Sequence, residues 1–124
     1  MGKPVNSNVK RAEAAGLNTK VNKEVFDAFK DCCAYTGFPM NMVLESFMKQ
    51  YSNGRFKLDD HDIMKFKNDG KPVGTLNTTI NKDVRTQFVV ACRKNDYFVK
   101  HVLSAFMEQF ASGQLVMEFV NAND

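Results

Sequence analysis

The chain has 124 residues, enough for one ordinary domain or two very small ones. Its 17 basic and 14 acidic residues give a formal net charge of +3, which permits nucleic-acid binding without requiring it. There is no run of about 18 apolar residues, and the N-terminal residues lack the apolar core of a signal peptide. We therefore predict a cytoplasmic protein that does not enter a membrane.

The residue types needed for catalysis or metal binding do not occur in useful patterns. Three cysteines, Cys32, Cys33 and Cys92, have no C-x-x-C spacing and no neighbouring histidine pair, so we interpret them as buried reduced thiols. No nucleophile–base pair, paired catalytic carboxylates or phosphate loop can be recognised. The sequence therefore predicts no enzyme activity, no metal site and no cofactor.

Residues 1–15 contain Lys3, Lys10 and Arg11 among small and polar residues. This composition predicts a flexible basic arm. Such an arm could contact the backbone or minor groove of DNA, or it could be a solvated terminus without a role. The sequence does not favour either interpretation.

Residues 16–54 are predicted to fold as a strand followed by two helices. A period-two alternation of side chains that starts near Leu17 indicates the strand. Asn22 stands at the N-cap of the first helix, and Gly37 can adopt the left-handed conformation that ends it. The second helix follows Pro39, whose fixed φ suits a first turn, and it has its own apolar stripe.

Residues 55–74 are predicted to be a linker. Its acidic cluster contains metal-ligand atom types, but four consecutive residues cannot all point at one ion: Asp59, Asp60, His61 and Asp62. We interpret the cluster as the start of a short, capped and solvated helix. A turn-forming stretch rich in Asn, Asp, Gly and Pro follows it.

Residues 75–115 repeat the first unit. Residues 17–25 read LNTKVNKEV, and residues 76–84, 59 positions later, read LNTTINKDV. The second copy again has an asparagine at the N-cap and a glycine at its end. Two copies in constant register indicate an internal duplication. The remaining tail, residues 116–124, is too short to form a domain.

Neither copy can satisfy its strand edges or cover its apolar stripe alone. We therefore predict one mainly α fold, in which the two strands pair as an antiparallel ribbon and four helices close one core around a pseudo-two-fold axis. Alternation places six strand residues toward the helices: Leu17, Thr19, Val21, Leu76, Thr78 and Ile80. The opposite face of the ribbon presents Asn18, Lys20, Thr75, Asn77 and Thr79.

Both copies resemble the ribbon-helix-helix superfamily of Arc, MetJ and CopG. Each has a short alternating strand, a polar cap, a valine four positions after the last inward strand residue, and an aliphatic-aromatic second helix. Most members build the ribbon from two chains, whereas this chain resembles the tandem type seen in TraY. The resemblance implies sequence-specific binding of double-stranded DNA. The ribbon would lie in the major groove, and the N-terminus of each second helix would contact a phosphate.

The chemistry of the outward ribbon residues supports base contact. Asn18 and Asn77 can each pair with adenine, Lys20 can donate to guanine, and the methyl groups of Thr75 and Thr79 can meet thymine methyls. Short polar side chains would also suit an ordinary solvated face. Asparagine is disfavoured in strands, however, and both copies have it at the same outward position.

The starts of the second helices are the predicted phosphate contacts. Backbone N–H groups at Met40, Asn41, Val99 and Lys100 would attract an anion through the helix dipole. The resemblance implies a phosphate-clamping side chain at Asn41 and Lys100. Pro39 removes one donor from the first clamp. We interpret His101, beside Lys100, as an ordinary surface histidine, although it could reach a phosphate.

The two ribbon strands differ in their outward residues, which predicts an asymmetric DNA element. We favour a transcriptional repressor. The alternative is a relaxosome accessory or plasmid-partition protein of a mobile element. Repeated DNA sites would allow several chains to assemble side by side. A third reading is an antitoxin-like interaction module. The short tail counts against it, because antitoxins of this family usually append a long toxin-binding segment.

Overall fold

The computed structural model of the protein describes residues 13–113. Within this range the chain is a mixed α/β fold with five helices and one two-stranded antiparallel sheet. The elements are, in order, β1 (Ala14–Asn22), α1 (Lys23–Thr36), α2 (Met40–Ser52), α3 (Asp60–Met64), β2 (Val73–Asn81), α4 (Lys82–Lys94) and α5 (Val99–Ser112).

Both strands start two residues before the predicted boundaries at 16 and 75. The antiparallel register explains the difference, since Ala14 pairs with Asn81 and Asn22 pairs with Val73. The first residue of each strand therefore lies opposite the asparagine at the end of the other strand, which caps the next helix. Most of the predicted arm and all of the predicted tail lie outside the described residues.

The helix ends follow the chemistry that the sequence predicts. The side-chain oxygen of Asn22 accepts the N–H of Val25 at 3.0 Å, and that of Asn81 accepts the N–H of Val84 at 3.0 Å. Each bond satisfies one N–H group that the helix itself leaves without an acceptor. Gly37 ends α1 with a φ of 84°, in the left-handed region that suits glycine.

The turn after α4 uses a different residue for the same purpose. Asp96 stands where the first copy has Gly37, and its φ is 63°. Aspartate tolerates this left-handed conformation better than most residues with a side chain. The short helix α3 also forms in the linker, but the side chain of Asp59 makes no capping bond to it.

The fold is nearly symmetric under exchange of the two copies. Asn18 pairs with Asn77, which is its own equivalent 59 positions later. Phe47 and Phe106 are equivalents too, and their rings stack at a centroid distance of 4.1 Å with 11° between the planes. Helix α1 packs on α5 and α2 packs on α4, so each copy completes the core of the other.

The faces of the ribbon separate as the alternation predicts. Leu17, Val21, Leu76 and Ile80 are buried, while the smaller Thr19 and Thr78 are half-buried. Burial of each aliphatic side chain stabilises the fold by about 1.5–3 kcal/mol. The alternate residues, whose side chains point the other way, are exposed: Asn18, Lys20, Thr75, Asn77 and Thr79. One face of the ribbon therefore packs on the helices and the other faces solvent.

The cysteines are free thiols, but only two of them are fully buried. Burial raises the pKa of Cys33 to about 11 and that of Cys92 to about 12, which keeps both protonated and unreactive. Cys32 is half-buried, because it is one position away from the stripe of α1 that faces the core. The interpretation of all three as buried thiols is therefore wrong for Cys32.

Candidate nucleic-acid interface

The open face of the ribbon brings together the residues predicted to contact bases. Asn18, Lys20, Thr75, Asn77 and Thr79 are all exposed on the side away from the helices. Lys20 pairs with Thr75 toward one end, and Thr79 pairs with Gly16 toward the other. The two asparagines lie opposite each other at the centre. The result is a narrow polar strip two strands wide.

Two further exposed residues, Val73 and Ala14, lie on the same face beyond the predicted set. Val73 is 55% exposed and lies directly opposite Asn22, next to the Lys20 end of the strip. Ala14 is exposed at the far end. The period-two alternation extends through both positions and could have identified them. Val73 adds an apolar group that can meet a thymine methyl.

The residues predicted to contact phosphate are the first two residues of α2 and of α5. No side chain caps α2 or α5, whose N-cap residues are Pro39 and Phe98. The N–H groups of the first helical residues have no intrahelical acceptor, so they remain available to an anion. The side chains of Asn41 and Lys100 are exposed, whereas those of Met40 and Val99 are half-buried and contribute through the backbone alone.

Two equivalent hydrogen bonds set the orientation of these helices relative to the ribbon. The N–H of Asn22, at the end of β1, donates to the hydroxyl of Ser104 on α5 at 3.3 Å. The N–H of Asn81, at the end of β2, donates to the carboxylate of Glu45 on α2 at 2.6 Å. Each strand end is thus tied to the second helix of the opposite copy, five residues after that helix begins.

His101 is buried, with only 8% of its surface exposed, which corrects its interpretation as an ordinary surface histidine. The equivalent residue of the first copy, Met42, is 37% exposed. Linker residues 66–71 line one cavity together with His101 at the start of α5. Burial lowers the pKa of His101, the cations Lys100 and Lys67 lower it further, and Asp69 opposes them.

No group of three or more His, Cys, Asp or Glu side chains between residues 13 and 113 could hold a metal ion. No helix in that range is long and apolar enough to cross a membrane. Comparisons with protein-family models, with curated proteins and with solved structures found no match.

Proposed function

We propose that the protein is a sequence-specific double-stranded DNA-binding protein of the tandem ribbon-helix-helix type. The observation that carries the proposal is the exposed polar face of the ribbon, with Asn18 opposite Asn77 at its centre. A two-stranded ribbon fits the major groove, which is about 12 Å wide, and directs the side chains of one face at the base edges.

The strip offers three kinds of base contact. Each asparagine can bind adenine through two hydrogen bonds, and Lys20 can donate to O6 and N7 of guanine. Thr75, Thr79 and Val73 can place methyl groups against thymine. A well-formed two-bond contact discriminates against a wrong base by about 1–3 kcal/mol, so a few such contacts account for useful specificity.

Phosphate contacts at the helix starts would set the depth and register of the ribbon in the groove. The N–H groups at the start of α2 and α5 supply dipolar attraction, and Lys100 adds a full positive charge. Asn41 occupies the equivalent position on α2 and is neutral. The two ends of the ribbon therefore hold the DNA backbone unequally.

The bound element should be asymmetric. A ribbon made from two identical strands presents the same groups in both directions and reads a palindrome. Here the equivalents of Lys20 and Gly16 are Thr79 and Thr75, so the two directions differ in charge and shape. Occupation of such a site at a promoter would make the protein a transcriptional repressor, which is the role we favour.

A relaxosome accessory or plasmid-partition role would use the same DNA chemistry. Only the location of the bound site separates these roles. Footprinting on the DNA around its own gene, including any nearby transfer origin, distinguishes them. Protection over the promoter supports repression, and protection over a repeat array beside a nick site supports the mobile-element role.

Selection of binders from a random pool of DNA duplexes tests the proposal itself. We expect recovery of one asymmetric consensus with a fixed orientation. A symmetric consensus would contradict the unequal ends of the ribbon. Failure to enrich any duplex, with single-stranded DNA and RNA pools run in parallel, would reject DNA binding as the function.

A further inference from the structure

The linker contributes to a strongly basic surface at one end of the ribbon. A cavity of about 310 Å³ lies between the end of β1, the start of α5 and the linker. Four lysines line it: Lys20 from the ribbon, Lys67 and Lys71 from the linker, and Lys100 from α5. These residues come from three separate parts of the chain, and the fold places them around one space.

The charge of this cavity is not neutralised internally. None of the four lysines forms an ion pair with a carboxylate of residues 13–113. Among the described residues of the lining, Asp69 is the one acid, which gives four positive charges against one negative charge. Its two oxygens accept the N–H of Lys71 at 3.0 Å and the side-chain amide of Asn22 at 3.4 Å. Asp69 therefore shapes the loop and holds it to the strand.

The linker is fixed in this position by further contacts. The N–H of Lys23 donates to the carbonyl of Pro72 at 2.9 Å, which joins the linker to the start of α1. Ile63 of α3 is fully buried in the core, and Lys65 forms an ion pair with Glu108 of α5 at 2.7 Å. The backbone that carries Lys67 and Lys71 is thus anchored on both sides.

The opposite end of the ribbon has a different character. The equivalents of Lys20, Lys100, His101 and Ser104 are Thr79, Asn41, Met42 and Glu45. This set contains no cation and has one carboxylate. A phosphate would be attracted to the first end by these positive charges, whereas the equivalent residues of the second end are neutral except for one carboxylate.

We propose that the linker is part of the DNA-binding surface, where Lys67 and Lys71 act with Lys20 and Lys100 to hold the phosphate backbone at one end of the ribbon. This inference rests on the proposed function and extends it. The linker thereby lengthens the contact with DNA in one direction only. These phosphate contacts carry no sequence information, so the base contacts still decide which way the protein lies on its site.

The test compares two double variants with the same change in charge. Lys67→Ala/Lys71→Ala removes the linker lysines, and Lys57→Ala/Lys94→Ala removes two lysines that line a different cavity, beside Tyr51. Affinity for the selected duplex is measured over a range of salt concentrations. The slope of log K against log salt is negative, and each lost phosphate contact should make it less steep by about 0.9. The slope of the linker variant should therefore be shallower than that of the wild type by about two. The control variant should retain the wild-type slope.

Equal slopes for the two variants would overturn the inference while leaving DNA binding by the wild type intact. If the wild type binds no duplex, the proposed function fails instead, and the two failures are thus distinguishable. Lys67→Gln/Lys71→Gln provides a second pair that removes both charges but keeps a polar side chain. Phosphate ethylation interference compares the wild type with Lys67→Ala/Lys71→Ala: sensitive phosphates at one end that the variant loses support the inference, and identical patterns contradict it.

Discussion

Asn18 and Asn77 lie directly opposite each other at the centre of the two-stranded ribbon, on its exposed face. They are the same position of the two repeats, so the approximate two-fold axis passes between them. Moving outward from this pair, the two directions become chemically different, with Lys20 beside Thr75 on one side and Gly16 beside Thr79 on the other. The centre of the surface is therefore symmetric while its ends are not.

Replacement of a central asparagine should reduce specificity. Asn77→Ala removes two potential hydrogen bonds to adenine, and we expect affinity for the selected duplex to weaken by about 1–3 kcal/mol. Affinity for random DNA should be unchanged, because the contact is to a base and not to the backbone. Thr86→Ala, at an exposed position of α4, is the matched control. Equal losses on both DNAs would contradict the assigned role.

Replacement of Lys100 should reduce affinity without changing specificity. We expect Lys100→Ala to weaken binding to all duplexes alike, because one phosphate contact is lost. The negative slope of log K against log salt should become less steep by about one. Lys94→Ala, exposed at the end of α4, should leave the slope unchanged. Titrations at several salt concentrations measure both. A selective loss on the preferred duplex would instead assign Lys100 to base reading.

The stacked pair at the centre of the core should determine stability. Phe47 and Phe106 are fully buried, and either one changed to alanine should cost about 3–5 kcal/mol of unfolding free energy. The two losses should not be additive, because the rings are in contact. Urea unfolding of both single variants and the double variant measures the coupling. Tyr35→Ala, at a position 92% exposed, should change stability by less than about 0.5 kcal/mol.

His101 should make stability depend on pH. Its pKa in the folded protein lies below the ordinary value, so the unfolded chain binds a proton more readily than the folded chain. Stability should therefore decrease as the pH falls through about 6.5, the pKa of an unperturbed histidine. Urea unfolding at about pH 7.5 and about pH 5.5 spans this transition.

The variant His101→Met tests the assignment, because methionine is the residue that the first copy has at this position. We expect the variant to lose part of the decrease in stability at low pH. His61→Gln, at an exposed position of α3, is the matched histidine control. If His101→Met and the wild type respond identically to pH, another group causes the dependence.

Much of the local structure follows from short-range chemistry. The alternation in each strand separates buried Leu17 and Leu76 from exposed Asn18 and Asn77, because successive side chains of a strand point to opposite faces. Asn22 caps its helix as predicted, since a cap depends on residues only three positions apart. Such features are encoded by neighbours in the chain.

The duplication itself indicated that the two strands would pair, because neither copy could bury its stripe alone. Which residues face each other was decided only by tertiary structure. The register that sets Asn18 against Asn77 depends on how the rings of Phe47 and Phe106 and the surrounding side chains fill one core. Those contacts join residues about half the chain apart.

In the linker, too, the sequence predicted the local structure but not the long-range contacts. Its composition predicted a turn-rich, solvated segment with a short helix, and α3 forms there. Nothing in the local pattern indicated that Lys67 and Lys71 of the loop would line the same cavity as Lys100 and His101. The sequence by itself determined the elements, the asparagine caps of α1 and α4, and the two faces of the ribbon. Tertiary structure decided the strand register and the unequal charge of the ribbon ends, because both depend on packing between distant segments.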